Sequence, residues 1–316
     1  MNTVFVKTHT MIKGVRAMLL LTIIYDNSME DFIDEINEIK NLFKVKDIQL
    51  GISEDLENDT HIIKVYSAEE KCDSSLQNTF NLYMSMSLYN IMVKKFYNEK
   101  LKNFIIDKYF FFKDSEVNYL VKKVYETLNS DKIIMEKNGL YFINKKNDIL
   151  QEIINCIKEV NEFNVNGFIR FRTTNMEKSF FEITEEVVQN YISEKEYKEF
   201  IKLLKYFVQL QESKIDEVNI IIGDKGKYYI KNKQGKDIFN ELVNDLEETS
   251  FSGTVSIEDI IISGLITNVP KRIVIHNYDK CSYNEFINTI KDVFLERVAF
   301  CTGCPFCKKN KDSIKL

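Results

Sequence analysis

From Leu76 to Lys108 the chain runs without a glycine or a proline. Along that stretch Phe80, Met84, Leu88, Ile91, Leu101, Phe104 and Ile105 keep roughly to one face at helical spacing. This predicts one long amphipathic helix, which has to bury its apolar stripe along a core to be stable. Chain-bending residues are rare elsewhere too: the 316 residues include 10 Gly and 2 Pro.

The elements around this helix follow from periodicity and capping. Leu19–Tyr25 is β-branched and aromatic in part and reads as a buried strand. Asn27 or Ser28 is placed to cap a helix through Phe43, with Phe32, Ile36, Ile39 and Phe43 in phase. The segments DIQLGIS and HIIKVYS read as strands, which makes the first unit β-α-β-β. Beyond YFFFKDSE, Asp114 or Ser115 opens a helix to Leu128, and KIIMEKNGLYFIN reads as a hairpin turning at Asn138-Gly139. Helices follow at about 149–162 and 180–211, with GFIRFRTT between them ambiguous between strand and helix entry. EVNIIIGDKGKYYIKN predicts a second hairpin, and a helix covers about 237–248. Ser256 with Asp259 opens a helix that Pro270 ends, RIVIHN is a strand, and Ser282 with Glu285 forms a capping box for a last helix to about Arg297. The fold class is α+β, with an N-terminal β-α-β-β unit, a largely helical centre and a C-terminal hairpin-helix-strand-helix unit.

Hydrophobic residues make up 44% and charged residues 29%, a globular balance with enough apolar material for a sizeable core. The length suggests about two domains. The expected division is a disordered extension 1–17, an N-terminal α+β region 18–130 and a C-terminal α+β region 131–316 ending in a Cys-rich tail. Basic residues precede the apolar run Ala17–Tyr25, as in a signal peptide. The run is too short to span a membrane, no small-residue cleavage site follows it, and Met18 is an alternative start. The six cysteines are spread too thinly for a secreted disulfide scaffold, so reduced thiols and a cytoplasmic location are expected.

Chemistry concentrates at the C-terminus. Cys301, Cys304 and Cys307 form C-x2-C-x2-C, with Gly303 allowing a tight turn and Pro305 stiffening the second half of the motif. Three readings stand side by side: a metal centre, a redox pair of Cys301 with Cys304, or small apolar thiols packed beside Phe300 and Phe306. Zinc or an iron–sulfur cluster would suit thiolates at this spacing, but no fourth Cys comes after Cys307. The last helix separates Cys281 from Cys301 by roughly 25 Å. His276 precedes that helix and is expected to lie equally far off. A fourth ligand is therefore sought in Cys72, Cys156, His61, a second chain or a non-protein ligand.

Other candidates carry less. In a strand, Arg170 and Arg172 would share one face and could grip a phosphate, a carboxylate or a partner, against the alternative of a solvated or ion-paired surface. NGFIRFR matches the RNA-binding RRM signature at too few positions, and the net charge of −5 argues against nucleic acid. In EKEYKEFIKLLKYF, the lysines 195, 198, 202 and 205 read as the wet face of a helix whose Phe200, Leu203, Leu204 and Phe207 are core. GDKGK lacks the spacing and the Ser/Thr of a phosphate loop and reads as a hairpin turn. The three histidines are scattered, and no catalytic constellation is present.

Several stretches, in order, carry a likeness to one family: LLLTIIYD, KLKNFIIDKYFFFKDSE, NGFIRFRTT, EKEYKEFIKLLKYFVQLQ, VPKRIVIHN and FCTGCPFC, spread over about residues 18–307. Together they resemble the YtxC-like sporulation family of endospore-forming bacteria. The resemblance implies a cytoplasmic protein linked to sporulation, and implies no reaction. The expected function is non-enzymatic binding of a protein partner, with a homodimer also compatible, and with the cysteines as a structural or sensing element. The alternative is a metal-dependent or redox enzyme using Cys301, Cys304 and Cys307, whose three local ligands would leave an open coordination position. A third reading is nucleic-acid binding through Arg170, Arg172 and the 195–205 lysines.

Overall fold

The computed structural model describes residues 9–12, 15–29, 32–68, 74–130, 139–243, 256–281, 283–304 and 307. The chain divides into two compact units, Met1–Asn190 and Tyr191–Leu316.

In the first unit, β1 (His9–Ile12) turns into β2 (Val15–Asp26), which is followed by α1 (Phe32–Val45), β3 (Leu50–Glu57) and β4 (Thr60–Ala68). The sheet order is β1-β2-β4-β3, all antiparallel. A short β5 (Glu162–Asn164) joins β2 in parallel. Leu21, Ile23 and Tyr25 alternate inward from β2 and meet Phe32, Ile36, Ile39 and Phe43 of α1, all buried. The predicted β-α-β-β unit is thus present.

The long helix is α2 (Ser74–Phe96) and α3 (Lys102–Lys108), joined without interruption by a π turn at Tyr97–Leu101. The turn has a sequence cause. Phe80, Met84, Leu88, Met92 and Phe96 are buried at steps of four, but the next buried positions are Leu101 and Ile105. That single step of five is what an i→i+5 turn absorbs, and it keeps one stripe facing the core. Around this spine pack α4 (Asp114–Asn129) and α5 (Gly139–Lys158). The Tyr89 hydroxyl donates to the Leu128 carbonyl at 2.8 Å in the interior.

One sequence expectation changes here, and one open reading is resolved. The second arm of the supposed KIIMEKNGLYFIN hairpin is the first turn of α5, because Phe142, Ile149, Ile153 and Ile157 continue one helical stripe; residues 131–138 lie outside the described residues. Of GFIRFRTT, residues 167–171 are helical, within α6 (Val165–Phe171), and its last residue opens α7 (Thr174–Leu210).

The second unit opens on the last part of α7 and continues with β6 (Glu217–Ile222), β7 (Tyr228–Asn232), α8 (Phe239–Val243), α9 (Ile257–Asn268), β8 (Arg272–His276), α10 (Asn284–Phe294) and β9 (Val298–Phe300). The Ser256 hydroxyl caps α9 by accepting from the Asp259 N–H at 3.2 Å, as its sequence predicts; Ser282 of the expected second capping box is outside the described residues. Sheet order is β7-β6-β8-β9, with the hairpin partner β7 antiparallel and β6, β8 and β9 parallel. Val218, Ile220, Ile222, Ile273 and Ile275 form one face and pack with Ile201, Leu204 and Val208 of α7, Leu242, Ile261 and Leu265, and Phe286 and Ile290. Gly264 lets α9 approach α8 closely: a Cβ there would stand 2.8 Å from the Leu242 carbonyl oxygen.

Candidate metal centre

Strand parity builds the site. In β6 and β8, Asn219 is registered with Val274 and Ile221 with His276, on the face opposite the unit's apolar core. β9 continues the pattern: Val274 pairs with Ala299, Ile275 with Phe300, and the Cys301 N–H donates to the Ile275 carbonyl at 2.9 Å. Cys301 therefore falls beside His276, on the same face, at the carboxyl ends of two parallel strands.

This corrects the expectation that His276 is remote. The helix α10 does carry the chain away from the end of β8. The three-residue β9 then carries it back alongside β8, as a βαβ crossover requires. Without β9 the same path would be one-way. The only signal for it was Val298-Ala299-Phe300, a tripeptide too short to register as a strand.

The turn after β9 bends at Gly303, whose φ of +139° is open to glycine, and brings Cys304 and Cys307 over His276. Cys304 Sγ lies 3.3 Å and Cys307 Sγ 3.5 Å from His276 Nδ1. Cys307 Sγ is 3.8 Å from Cys304 Sγ and 3.7 Å from Cys301 Sγ. All four ligand atoms lie within 4.8 Å of one another. Among the described residues this is the group of His, Cys, Asp and Glu side chains able to hold a metal ion. The Gly303 N–H donates to Cys301 Sγ at 3.4 Å.

Behind the imidazole stands a buried polar chain. The His276 Nε2–H donates to Asn219 Oδ1 at 3.0 Å. The Asn219 amide nitrogen faces two acceptors, Glu217 Oε1 at 3.1 Å and the Asn232 carbonyl at 3.4 Å, so its oxygen must face the ring. With the proton held on Nε2, the lone pair of Nδ1 points at the sulfurs. Burial lowers the His276 pKa, against the opposing pull of the Glu217 carboxylate, and so favours the neutral, ligating ring. Burial also pushes the Cys307 thiol up to about 11, with its hydrogen bond to the Cys304 backbone pulling the other way. A cation among the sulfurs would reverse that.

The remaining candidates do not gather. Cys281 is outside the cluster, its Sγ donating to the Tyr283 carbonyl at 3.3 Å. His61 and Cys156 belong to the first unit, and Cys72 lies outside the described residues. His61 stacks on Tyr25 and bonds Glu54 at 2.7 Å and Asn27 at 2.8 Å. Arg170 and Arg172 share no strand face. Two residues apart at the end of a helix, they point to nearly opposite sides. Arg170 lines a polar cleft of about 1140 Å³ with Lys94, Lys95, Asp26 and Glu99. Arg172 lines another beside Cys156, where its charge opposes the upward push that burial gives the thiol. GDKGK is the hairpin turn expected of it, with Asp224 tied to Lys280 at 2.6 Å. In α7, Lys202 pairs with Glu199 at 2.8 Å.

No helix among the described residues is long and apolar enough to cross a membrane. No solved structure matches the chain. A protein of Bacillus subtilis (strain 168), named "Uncharacterized protein YtxC", is 26% identical over 161 residues, covering 49% of this chain and 54% of the relative. The chain thus spans about half the length of that relative. The family model described as the YtxC-like family matches residues 82–299, a span that includes His276 and β8 and stops two residues short of Cys301. With more than half of its length matched, the chain belongs to the YtxC-like family.

Proposed function

We propose that this chain is a non-catalytic, sporulation-associated cytoplasmic protein that acts by binding a protein partner, and that one zinc ion clasps its C-terminal unit through His276 Nδ1 and the Sγ atoms of Cys301, Cys304 and Cys307. The convergence of four ligand atoms within 4.8 Å carries the metal reading. Around a tetrahedral zinc, with bonds of about 2.3 Å to sulfur and about 2.05 Å to nitrogen, neighbouring sulfurs lie about 3.8 Å apart and sulfur and nitrogen about 3.5 Å. The spacings of 3.7 and 3.8 Å, and of 3.3 and 3.5 Å, fit those edges. An iron–sulfur cluster spreads its thiolates over several irons and suits this tight set less well. Four protein ligands also complete the tetrahedron, so the open position a catalytic zinc needs is taken. The sporulation role rests on the family likeness of the quoted stretches, and the cytoplasmic reading on the reduced thiols.

Metal analysis of the full-length protein, purified without oxygen, tests this directly. About one zinc per chain is expected, lost in Cys304→Ser. Protein devoid of metal, or half an ion per chain shared between two copies, overturns it. The polar chain behind His276 supplies a second prediction. Asn219→Leu removes the acceptor that holds the proton on Nε2, and is expected to weaken zinc binding about 10- to 100-fold in competition with a chromophoric chelator. Cobalt substituted for zinc in that variant should keep its tetrahedral spectrum, since all four ligands remain.

A further inference from the structure

Between Ile201 and Val208, α7 anchors itself to the second unit through Ile201, Leu204 and Val208. The sequence pattern had Phe200, Leu203 and Phe207 buried as well, yet they are exposed, as are Tyr206 and Leu210. At about 100° per residue, Phe200, Leu203, Tyr206, Phe207 and Leu210 occupy one continuous arc beside the anchoring seam. Their exposures run from 52 to 64%. Together they present roughly 500 Å² of apolar surface, the size at which a surface patch marks an interaction site.

The order of residues in this arc points to what covers it. Phe200, Leu203, Phe207 and Leu210 are spaced by three, four and three, a pattern that reads the same in both directions. Laid antiparallel against itself about a two-fold axis near Lys205 and Tyr206, the stripe sets Phe200 opposite Leu210 and Leu203 opposite Phe207. Each layer pairs one aromatic with one aliphatic side chain, and no layer sets two rings or two leucines together. The lysines of this stretch leave the face clear. Lys198, Lys202 and Lys205 lie on the opposite side of α7 and point away from the seam. Standard interfaces bury about 800 Å² per partner, and the stripe supplies more than half of that.

We infer that the exposed face of α7, from Phe200 to Leu210, is an isologous interface through which two copies of this chain pair as antiparallel helices. It is independent of the metal reading, since no residue of the stripe belongs to the His276 cluster.

Sedimentation of the full-length protein between about 1 and 100 µM tests it. A concentration-dependent rise to twice the chain mass is expected. Leu203→Glu and Phe207→Glu should each stay monomeric, with unchanged far-UV circular dichroism and, at concentrations where the wild type is itself monomeric, an unchanged melting temperature, because neither side chain is part of the fold's interior. Lys202→Glu, off the stripe, should dimerise like the wild type. The antiparallel register has its own test. Phe200→Lys and Leu210→Glu proteins, each monomeric alone, should form a heterodimer when mixed, since residue 200 of one copy meets residue 210 of the other. A wild-type monomer throughout the range, a dimer indifferent to Phe207→Glu, or a mixture that stays monomeric overturns the inference.

Discussion

Chelating the metal from the full-length protein is expected to lower the melting of the C-terminal unit by roughly 15 °C and to leave the N-terminal unit unchanged. A ligand present at 1,000 times its dissociation constant stabilises the folded state by about 4 kcal/mol. For a unit of this size each kcal/mol shifts the midpoint by about 4 °C. The loss stops short of complete unfolding, unlike that of a small zinc finger, because the unit keeps an apolar core of its own around Ile220, Ile275 and Phe286. What the ion adds is a fastening: it ties the segment after β9 to the end of β8, where, among the described residues, the backbone is held by the three β8–β9 register pairs and the Cys301 N–H bond to Ile275. Calorimetry of wild type, chelated protein and Cys304→Ser should show the same low midpoint in the last two. Zinc should restore only the chelated wild type. Cys281→Ser, whose sulfur lies outside the cluster, should melt with the wild type. Equal midpoints with and without chelator would falsify the structural role of the ion.

Much of this architecture is legible from side-chain periodicity, and the places where it is not share a physical reason. The long helix could be read because its stripe is continuous, although only packing shows that the step from Phe96 to Leu101 is taken up by a π turn. The hairpin at Glu217–Asn232 could be read because a β-branched run and an aromatic one flank a Gly-Asp-Lys-Gly turn. The stretch around Asn138-Gly139 carries the same kind of turn signal, but from Gly139 onward the spacing of Phe142 to Ile157 prevails and the chain is helical. The metal cluster shows the deeper limit. Three ligands are adjacent in sequence and therefore visible. The fourth is 25 residues upstream of Cys301, and only the pairing of β8 with a three-residue strand brings it near. Non-local pairing of this kind leaves almost no trace in a local pattern. In α7 the difficulty is different: apolar residues fill two adjoining arcs of one helix, and sequence alone does not say which arc meets the body of the unit and which is left outside.

The N-terminal unit should be far more sensitive at Phe180 than at any metal ligand. Phe180 is fully buried on α7, and its ring stands 5.7 Å from that of Tyr89 and 5.4 Å from that of Phe96, both on α2. It is thus the wedge between the two long helices of the unit. Truncating a buried Phe to Ala removes its transfer free energy and leaves a cavity, at a cost of about 3–5 kcal/mol. Edge-to-face pairing with Tyr89 adds to what is lost, because a cavity holds no ring edge for the remaining aromatic faces. Tyr89 also donates to the Leu128 carbonyl, so any shift of its ring into the cavity strains a buried hydrogen bond that fastens α4. The cavity is therefore expected to collapse poorly, which places the cost near the top of the range. Phe180→Ala should lower the melting midpoint of the N-terminal unit by roughly 15 °C, given about 2–4 °C per kcal/mol at this size, whereas Phe180→Leu, which keeps most of the volume, should lose less than half as much. Zinc content should be unchanged in both, since the cluster belongs to the other unit. A Phe180→Ala midpoint within about 2 °C of wild type would mean that α2 and α7 do not depend on this ring, and that the packing described for the helical centre is wrong.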